Sequence, residues 1–180
     1  MARFSSFLEL AEHRFSVRKY SDRQIEKDKM DRILRAAQVA PTAVDSQPQK
    51  IFVLQSREAL EKAKRVTRFT FDAPTILLVC SDKDRAFTMK DRAFTMKDGQ
   101  YMGTVDCTIV LTHMMLAAED EGLGTCWVRG YDINDAKKEF GLPDNLIPEA
   151  LMPIGYPADD CVPGPKHSDR LPIEETVKFI

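Results

Sequence analysis

Four cations, Arg14, Arg18, Lys19 and Arg23, fall within ten residues of one another, with Ser16 among them. Alternate side chains of an extended segment point the same way. In RFSVR, Arg14, Ser16 and Arg18 therefore share a face that can grip a phosphate or a polar ring through charge-assisted hydrogen bonds. Spacing alone leaves a solvated basic turn as the commoner explanation. A second group, GLGTCWVRG, spans Gly122 to Gly130 and contains G-x-G. Its glycines follow a predicted helix and precede a predicted strand, the reverse of the dinucleotide-binding arrangement, so they read as the end of that helix. Arg170, in HSDRLPIEE, is on its own a surface arginine. His13, His113 and His167 have no metal-ligand spacing, and no serine or cysteine carries a nucleophile signature.

The elements that position these groups follow from apolar spacing. Phe4, Phe7, Leu8 and Ala11 recur at helical intervals, and Met30, Ile33, Leu34, Ala37 and Ala40 mark a second helix that Pro41 stops. The polar loop PTAVDSQPQ leads into KIFVLQS, an alternating, β-rich strand. REALEKAKRV reads as a helix, and APTILLVCS as a strand covered on both faces. The longest predicted helix runs from about Met102 to Glu121, with one stripe of Met102, Val105, Ile109, Thr112 and Leu116 and another of Cys107, Val110, Met114 and Ala117. A helix apolar on most of its circumference is buried on most of it. A small domain rarely covers such a helix alone, which predicts a homodimer. GTCWVRGY and ALMPIGYP are predicted strands, and LPIEETVKFI a short tail strand. The order α-α-β-α-β-α-β-α-β plus a tail predicts an α+β class with mixed strand pairing. Residues 1–180 form one domain in this reading, without a linker.

The totals narrow the function classes. A chain of 180 residues, 43% hydrophobic and 30% charged, has the composition of an ordinary soluble globular protein. A formal charge of −2 gives no reason to expect nucleic acid or an anionic membrane as partner. No apolar run approaches the ~20 residues that cross a bilayer, and MARFSSFLELAEHR lacks the features of a signal peptide. Cys80, Cys107, Cys126 and Cys161 are widely spaced without a CxxC. They are expected to be reduced thiols of a cytoplasmic protein, each serving as a small buried hydrophobe.

The heptapeptide DRAFTMK occurs twice in succession, at residues 84–97. Two copies are too few for a solenoid or a coiled coil. Seven helical residues turn through nearly two full turns, so a heptad slips into a helix with little rotation of its faces. The repeat reads as a tandem duplication in a tolerant surface segment. Phe87, Met89, Phe94 and Met96 of this segment either line a pocket or tuck against the core.

Taken in order, RFSVRKYSD, ILRAAQVAPTAVDSQPQKIFV, LTHMMLAAEDEGLGTCWVRGYD, LPDNLIPEALMPIGYPADD and HSDRLPIEETV resemble the nitroreductase family of flavoproteins. The resemblance covers nearly the whole chain outside the repeat. It implies a mixed β-sheet flanked by helices, an intertwined homodimer, and FMN at the dimer interface, with NADH or NADPH as reductant. It matches Arg14, Phe15, Ser16 and Arg170 to the surroundings of the FMN phosphate, and Arg18 to a cation beside the pyrimidine end of the flavin. Pro41, Thr42, Ala43, Asp45 and Gln47 fall in the loop that covers the flavin from the other subunit. Arg129 and Gly130 match the place where a backbone N–H meets flavin N5. No acid–base dyad is required, because the flavin carries the hydride chemistry.

The sequence departs from the family at three points. Asp45 stands where asparagine is usual, Gln49 where an aromatic is common, and Ser168 where many members have lysine, with Lys166 nearby as a substitute. The implied activity is an FMN-dependent NAD(P)H oxidoreductase acting on a nitroaromatic, quinone or activated-alkene acceptor. The alternative is a flavin-binding protein for storage or sensing, motivated by Asp45 and Ser168.

Overall fold

The helix boundaries have local causes. In the computed structural model, which describes residues 3–87 and 101–180, the Ser6 hydroxyl accepts the Glu9 N–H at the start of α1 (Phe7–His13). Helix α2 (Lys27–Val39) ends at Ala40, before Pro41. Strand β1 (Gln49–Leu54) leads to α3 (Arg57–Val66), which Ser56 caps by accepting the Ala59 N–H. Strand β2 (Thr75–Asp82) and α4 (Met102–Asp120) follow. After β3 (Gly124–Thr125), Asp132 caps α5 (Ile133–Phe140) through the Asn134 and Asp135 N–H groups, and Gly141 closes that helix at φ 62°. Strand β4 (Leu146–Gly155) and one helical turn, α6 (Ile173–Thr176), complete the order.

The sheet runs β1-β2-β4-β3, and each adjacent pair is antiparallel. Among the described residues, parallel pairing enters only through the isolated Ser16–Thr125 bridge. The alternation of β2 sorts the core. Leu77 and Val79 join Ala150, Met152 and Ile154 of β4 against Ile33 and Ala37 of α2 and Val110, Leu111 and Met114 of α4. Ile76, Leu78 and Cys80 join Leu151 against Ala63 of α3 on the other face. Every residue of β2 is buried, as its continuous apolar run predicts.

Three expectations are corrected. The predicted tail strand is the turn of α6, and residues 168–180 are all exposed. GTCWVRGY is a strand only at Gly124–Thr125, although Val128 still exchanges hydrogen bonds with Leu151. The first helix begins at Phe7 rather than near Phe4, and Phe7 and Leu8 are 70% and 64% exposed. On α4, Asp106, Cys107, Val110, Leu111, Met114 and Ala118 are buried, whereas Val105, Ile109 and Leu116 are half-buried and Thr108 and Thr112 exposed. One side of that helix is therefore left open by this chain. The duplicated segment begins in the turn after β2, where Phe87 is half-buried. Its Met89, Phe94 and Met96 lie outside the described residues, and so does the expectation placed on them.

Where α4 begins, a carboxyl group is enclosed in the core. Glu149 of β4 is 5% exposed and accepts the Ser81 hydroxyl at 2.5 Å and the Thr104 hydroxyl at 3.2 Å. Burial raises its pKa above the ordinary 4.5, against the lowering effect of those two hydroxyls. Above pH 4.5 the folded carboxyl keeps a proton that the unfolded chain has released. Stability on this account falls as pH rises from that point through the folded pKa. Glu149→Gln keeps the accepting oxygen and removes the ionisation. Its melting temperature is expected to exceed the parent's by about 2–4 °C at pH 8, with the gap closing near pH 4 in a pH series of thermal scans.

Candidate functional site

Segment 15–18 lies against the short edge strand β3. The Val17 N–H donates to the Thr125 carbonyl at 3.0 Å, and Ser16 forms the parallel bridge to the same residue. Val17 is fully buried, and the alternation turns Ser16 and Arg18 to the opposite side. Glycine is required at 124, because a Cβ there would stand 2.3 Å from Val17 Cγ2. Upstream, α1 is fixed to α4 by His13, whose Nδ1 lies 2.9 Å from Glu119 Oε1. Arg14 follows at the end of α1 and returns its N–H to Leu10 O.

The far end of the chain is brought to the same place by ties to this segment. The Ser21 N–H donates to Tyr156 O at 2.9 Å, the Ala158 N–H to Lys19 O at 3.1 Å, and Lys19 Nζ to Asp160 Oδ2 at 2.6 Å. Residues 164–170 then fold over Arg14, with the His167 ring edge-on to Phe15 at 6.0 Å. The result is a cavity of ≈ 370 Å³, walled by Arg14, Phe15, Ser16 and Arg18 on one side and by Lys166, His167 and Arg170 on the other. Its lining contains four cationic side chains and no acid. Among the described residues none of those four forms an ion pair.

This donor set fits a phosphate monoester, which carries about −1.5 to −2 charges and several acceptor oxygens. Lys166 faces the cavity that Ser168 does not line, so the lysine two residues away supplies a cation. Burial raises the Cys126 thiol, with Arg18, Ser16 and Arg14 pulling the other way. Burial also pushes Cys80 up to about 12. These two thiols are protonated at neutral pH and suit packing rather than nucleophilic attack.

The remaining predicted residues lie elsewhere in the chain. Pro41, Thr42, Ala43, Asp45 and Gln47 form a loop around the 3-10 turn Ala43–Asp45, in which Val44, Asp45 and Gln47 have φ of 48°, 55° and 48°. Three non-glycine residues in the left-handed region are strained, a condition that collects at functional sites. The loop is held by Asp106 Oδ1, which accepts the Ala43 N–H at 2.9 Å, and by Thr42 Oγ1, which accepts the Gln47 N–H at 3.0 Å. The Asp45 carboxylate accepts the Gln47 side-chain amide at 2.9 Å. Arg129 and Gly130 are exposed in a tight turn where the Tyr131 N–H returns to Arg129 O at 2.9 Å. Neither group lines the cationic cavity. His167 had escaped sequence reasoning, because only the return of the C-terminal segment places it there. His113 lies on α4 with its Nδ1 2.9 Å from Ile109 O, a local contact within the helix. Among the described residues no group of His, Cys, Asp or Glu is placed to hold a metal ion.

The two-sided α+β layer fold has close counterparts. The chain is 36% identical to a nitroreductase family protein of Clostridium difficile 630, whose crystal structure superposes with a TM-score of 0.86 over 97% of this chain and 98% of that one. It is 34% identical to a Methanothermobacter thermautotrophicus protein provisionally named NADH dehydrogenase/NAD(P)H nitroreductase, over 93% of this chain and 86% of that protein. It is 30% identical to the Bacillus subtilis FMN reductase [NAD(P)H], over 92% of this chain and 69% of that one. The sequence model of the Nitroreductase family matches residues 11–68 and 64–156. The chain belongs to the nitroreductase family.

The close approach of Val17 to β3 gives a direct test of the cradle. Gly124→Ala is expected to force segment 15–18 off the strand and to cost about 1–3 kcal/mol in urea unfolding, the usual range for overpacking.

Proposed function

We propose that the chain is an FMN-dependent NAD(P)H oxidoreductase that works as a homodimer in the cytoplasm, its 180 residues forming one flavin-binding domain. The observation that carries this reading is the cavity in which Arg14, Ser16 and Arg18 meet Lys166 and Arg170 without a single acid. The names of the 34%- and 30%-identical relatives supply NAD(P)H and FMN as chemistry of close kin. Arg14, Ser16, Lys166 and Arg170 would hold the phosphate, and Phe15, edge-on to His167, would form the apolar part of the wall. Arg18, also on this wall, would place positive charge toward the pyrimidine end of the ring. Bound FMN supplies the hydride transfer itself. The loop around Asp45 and the Arg129–Gly130 turn would complete the site, the loop from the second subunit. Donor and acceptor would use one place in turn, the acceptor being a nitroaromatic, quinone or activated alkene.

The half-open side of α4 supports the dimer. Val105, Ile109 and Leu116 stand half-covered there, and a cleft lined by Phe7, Leu10 and Leu116 adjoins them. The storage alternative loses part of its motive, since Lys166 stands in the cradle from which Ser168 is absent.

The purified protein is expected to be yellow, to sediment as a dimer, and to bleach quickly on anaerobic titration with NADH or NADPH. A colourless protein whose melting temperature ignores added FMN would refute the reading. Bound flavin that neither nucleotide reduces would favour storage. Steady-state double-reciprocal lines should run parallel. Arg14→Ala and Arg170→Ala are each expected to weaken FMN about 10- to 100-fold, the loss of a charged hydrogen bond. Riboflavin, which lacks the phosphate, should bind the variants and the parent alike in a fluorescence-quenching titration.

A further inference from the structure

Helix α3 is capped at its C-terminus by Thr67, whose backbone N–H donates to Ala63 O. Thr67 is 6% exposed. Its hydroxyl donates to the Gly130 carbonyl at 2.9 Å and accepts the Phe69 N–H at 3.3 Å. The Phe69 ring lies directly on Gly130, where an added Cβ would be 2.8 Å from Phe69 Cε2. The Phe69 ring is itself flanked by the Arg68 guanidinium, 4.8 Å from its centroid, and by Phe71 at 6.2 Å. Gly130 is not among the positive-φ glycines, Gly122 and Gly141. Its requirement is therefore room for the Phe69 ring rather than an unusual backbone.

We propose that Thr67 is a positioning residue for the Arg129–Gly130 turn, its hydroxyl holding the Gly130 peptide from α3 so that the Gly130 N–H faces the cofactor in one orientation. The inference rests on the reading that this N–H meets the flavin. The three-residue turn has one internal backbone bond, Tyr131 N–H to Arg129 O at 2.9 Å, and one long bond from Arg129 Nη1 to Tyr131 O at 3.4 Å, which leaves the turn itself a weak constraint. The Thr67 bond ties the peptide after Gly130 to a helix terminus, and the internal bond passes that constraint to the peptide before it. Phe69 blocks movement of the glycine toward α3. The two restraints come from one short segment, 67–69, that makes no direct approach to the cationic cavity.

The test uses full-length protein loaded with FMN. Thr67→Val keeps the shape and removes the hydroxyl. It is expected to shift the absorption maxima of bound FMN and to slow anaerobic reduction by NADH about tenfold, the scale of one hydrogen bond. FMN affinity should stay within about twofold, because the cradle is untouched. Thr67→Ser should restore both spectrum and rate. Thr67→Ala gives the same readings if the valine variant does not fold. A Thr67→Val protein with the parent's spectrum and rate would overturn the inference, even if its melting temperature fell. Gly130→Ala separates this result from failure of the underlying reading. If the alanine variant also leaves spectrum and rate unchanged, the turn does not face the flavin and both fall. If Gly130→Ala alters them and Thr67→Val does not, only the role of Thr67 falls.

Discussion

The seating of Val17 against β3 is the contact on which the cradle depends. One backbone hydrogen bond to Thr125 and one buried side chain fix the register of residues 14–18. Burying a valine contributes about 1.5–3 kcal/mol, enough to hold a short segment on an edge strand. Period-two alternation then leaves Ser16 and Arg18 no choice of side. The opposite wall adds Lys166 and Arg170 to Arg14 and Arg18, and like charges converging on one cavity repel. An anionic ligand bound there would neutralise that charge. Ligand binding to the folded state alone stabilises in proportion to the logarithm of its saturation. In the proposed reading, the same electrostatics would favour an anionic ligand and make stability respond to it.

The C-terminal half of the cradle depends on backbone ties more than on surface charge. Lys19 and Asp160 are paired at 2.6 Å but are 61% and 70% exposed, and such pairs contribute little. The Tyr20 hydroxyl does more, its one proton shared between Val17 O at 2.9 Å and Pro153 O at 3.1 Å. Burial raises its pKa, so it stays a donor. Behind it, the Tyr156 hydroxyl donates to Glu26 at 2.6 Å, and the Arg23 guanidinium sits over the Tyr156 ring at 4.0 Å. The Tyr156 hydroxyl and Arg23 hold the Glu26 carboxyl at about 2. A group depressed in this way contributes stability above its unfolded pKa of about 4.5 and loses it as pH falls toward 2. The tie between Glu26 and Tyr156 is therefore unaffected by pH across the neutral range.

Much of this was legible from periodicity, because periodicity records burial. The continuous run of β2 and the Cys107–Val110–Met114 stripe of α4 each report a packed neighbour within the chain, whereas the stripe of Met102, Val105, Ile109, Thr112 and Leu116 stays half-covered or exposed. The alternation of Arg14, Ser16 and Arg18 was legible for the same reason. The tail misled because LPIEETVKFI has β-prone ends around a glutamate pair that starts a helical turn after Pro172. The strand GTCWVRGY was overextended because the turn at Gly130 depends on Phe69, 61 residues away in sequence. The strained loop at Val44, Asp45 and Gln47 carries no glycine to announce positive φ. Its conformation comes from Asp106 on α4, a contact no local pattern encodes.

Helix α4 also decides whether one chain can finish the proposed site. Asp106, near its start, anchors the strained loop, and β3, which seats the cationic segment, follows its end at Asp120. Fourteen residues of helix separate those positions, about 21 Å at ~1.5 Å per residue. The loop and the cradle of one chain are thus anchored near opposite ends of α4. A second copy whose α4 runs antiparallel along the open Val105–Ile109–Leu116 side would exchange the ends, setting each loop beside the other chain's cradle. The apolar exposure of α4 and the separation of the two half-sites are then one constraint. In the proposed dimer, the open side of α4 would be both the surface a second copy covers and the surface that brings its loop to the cradle.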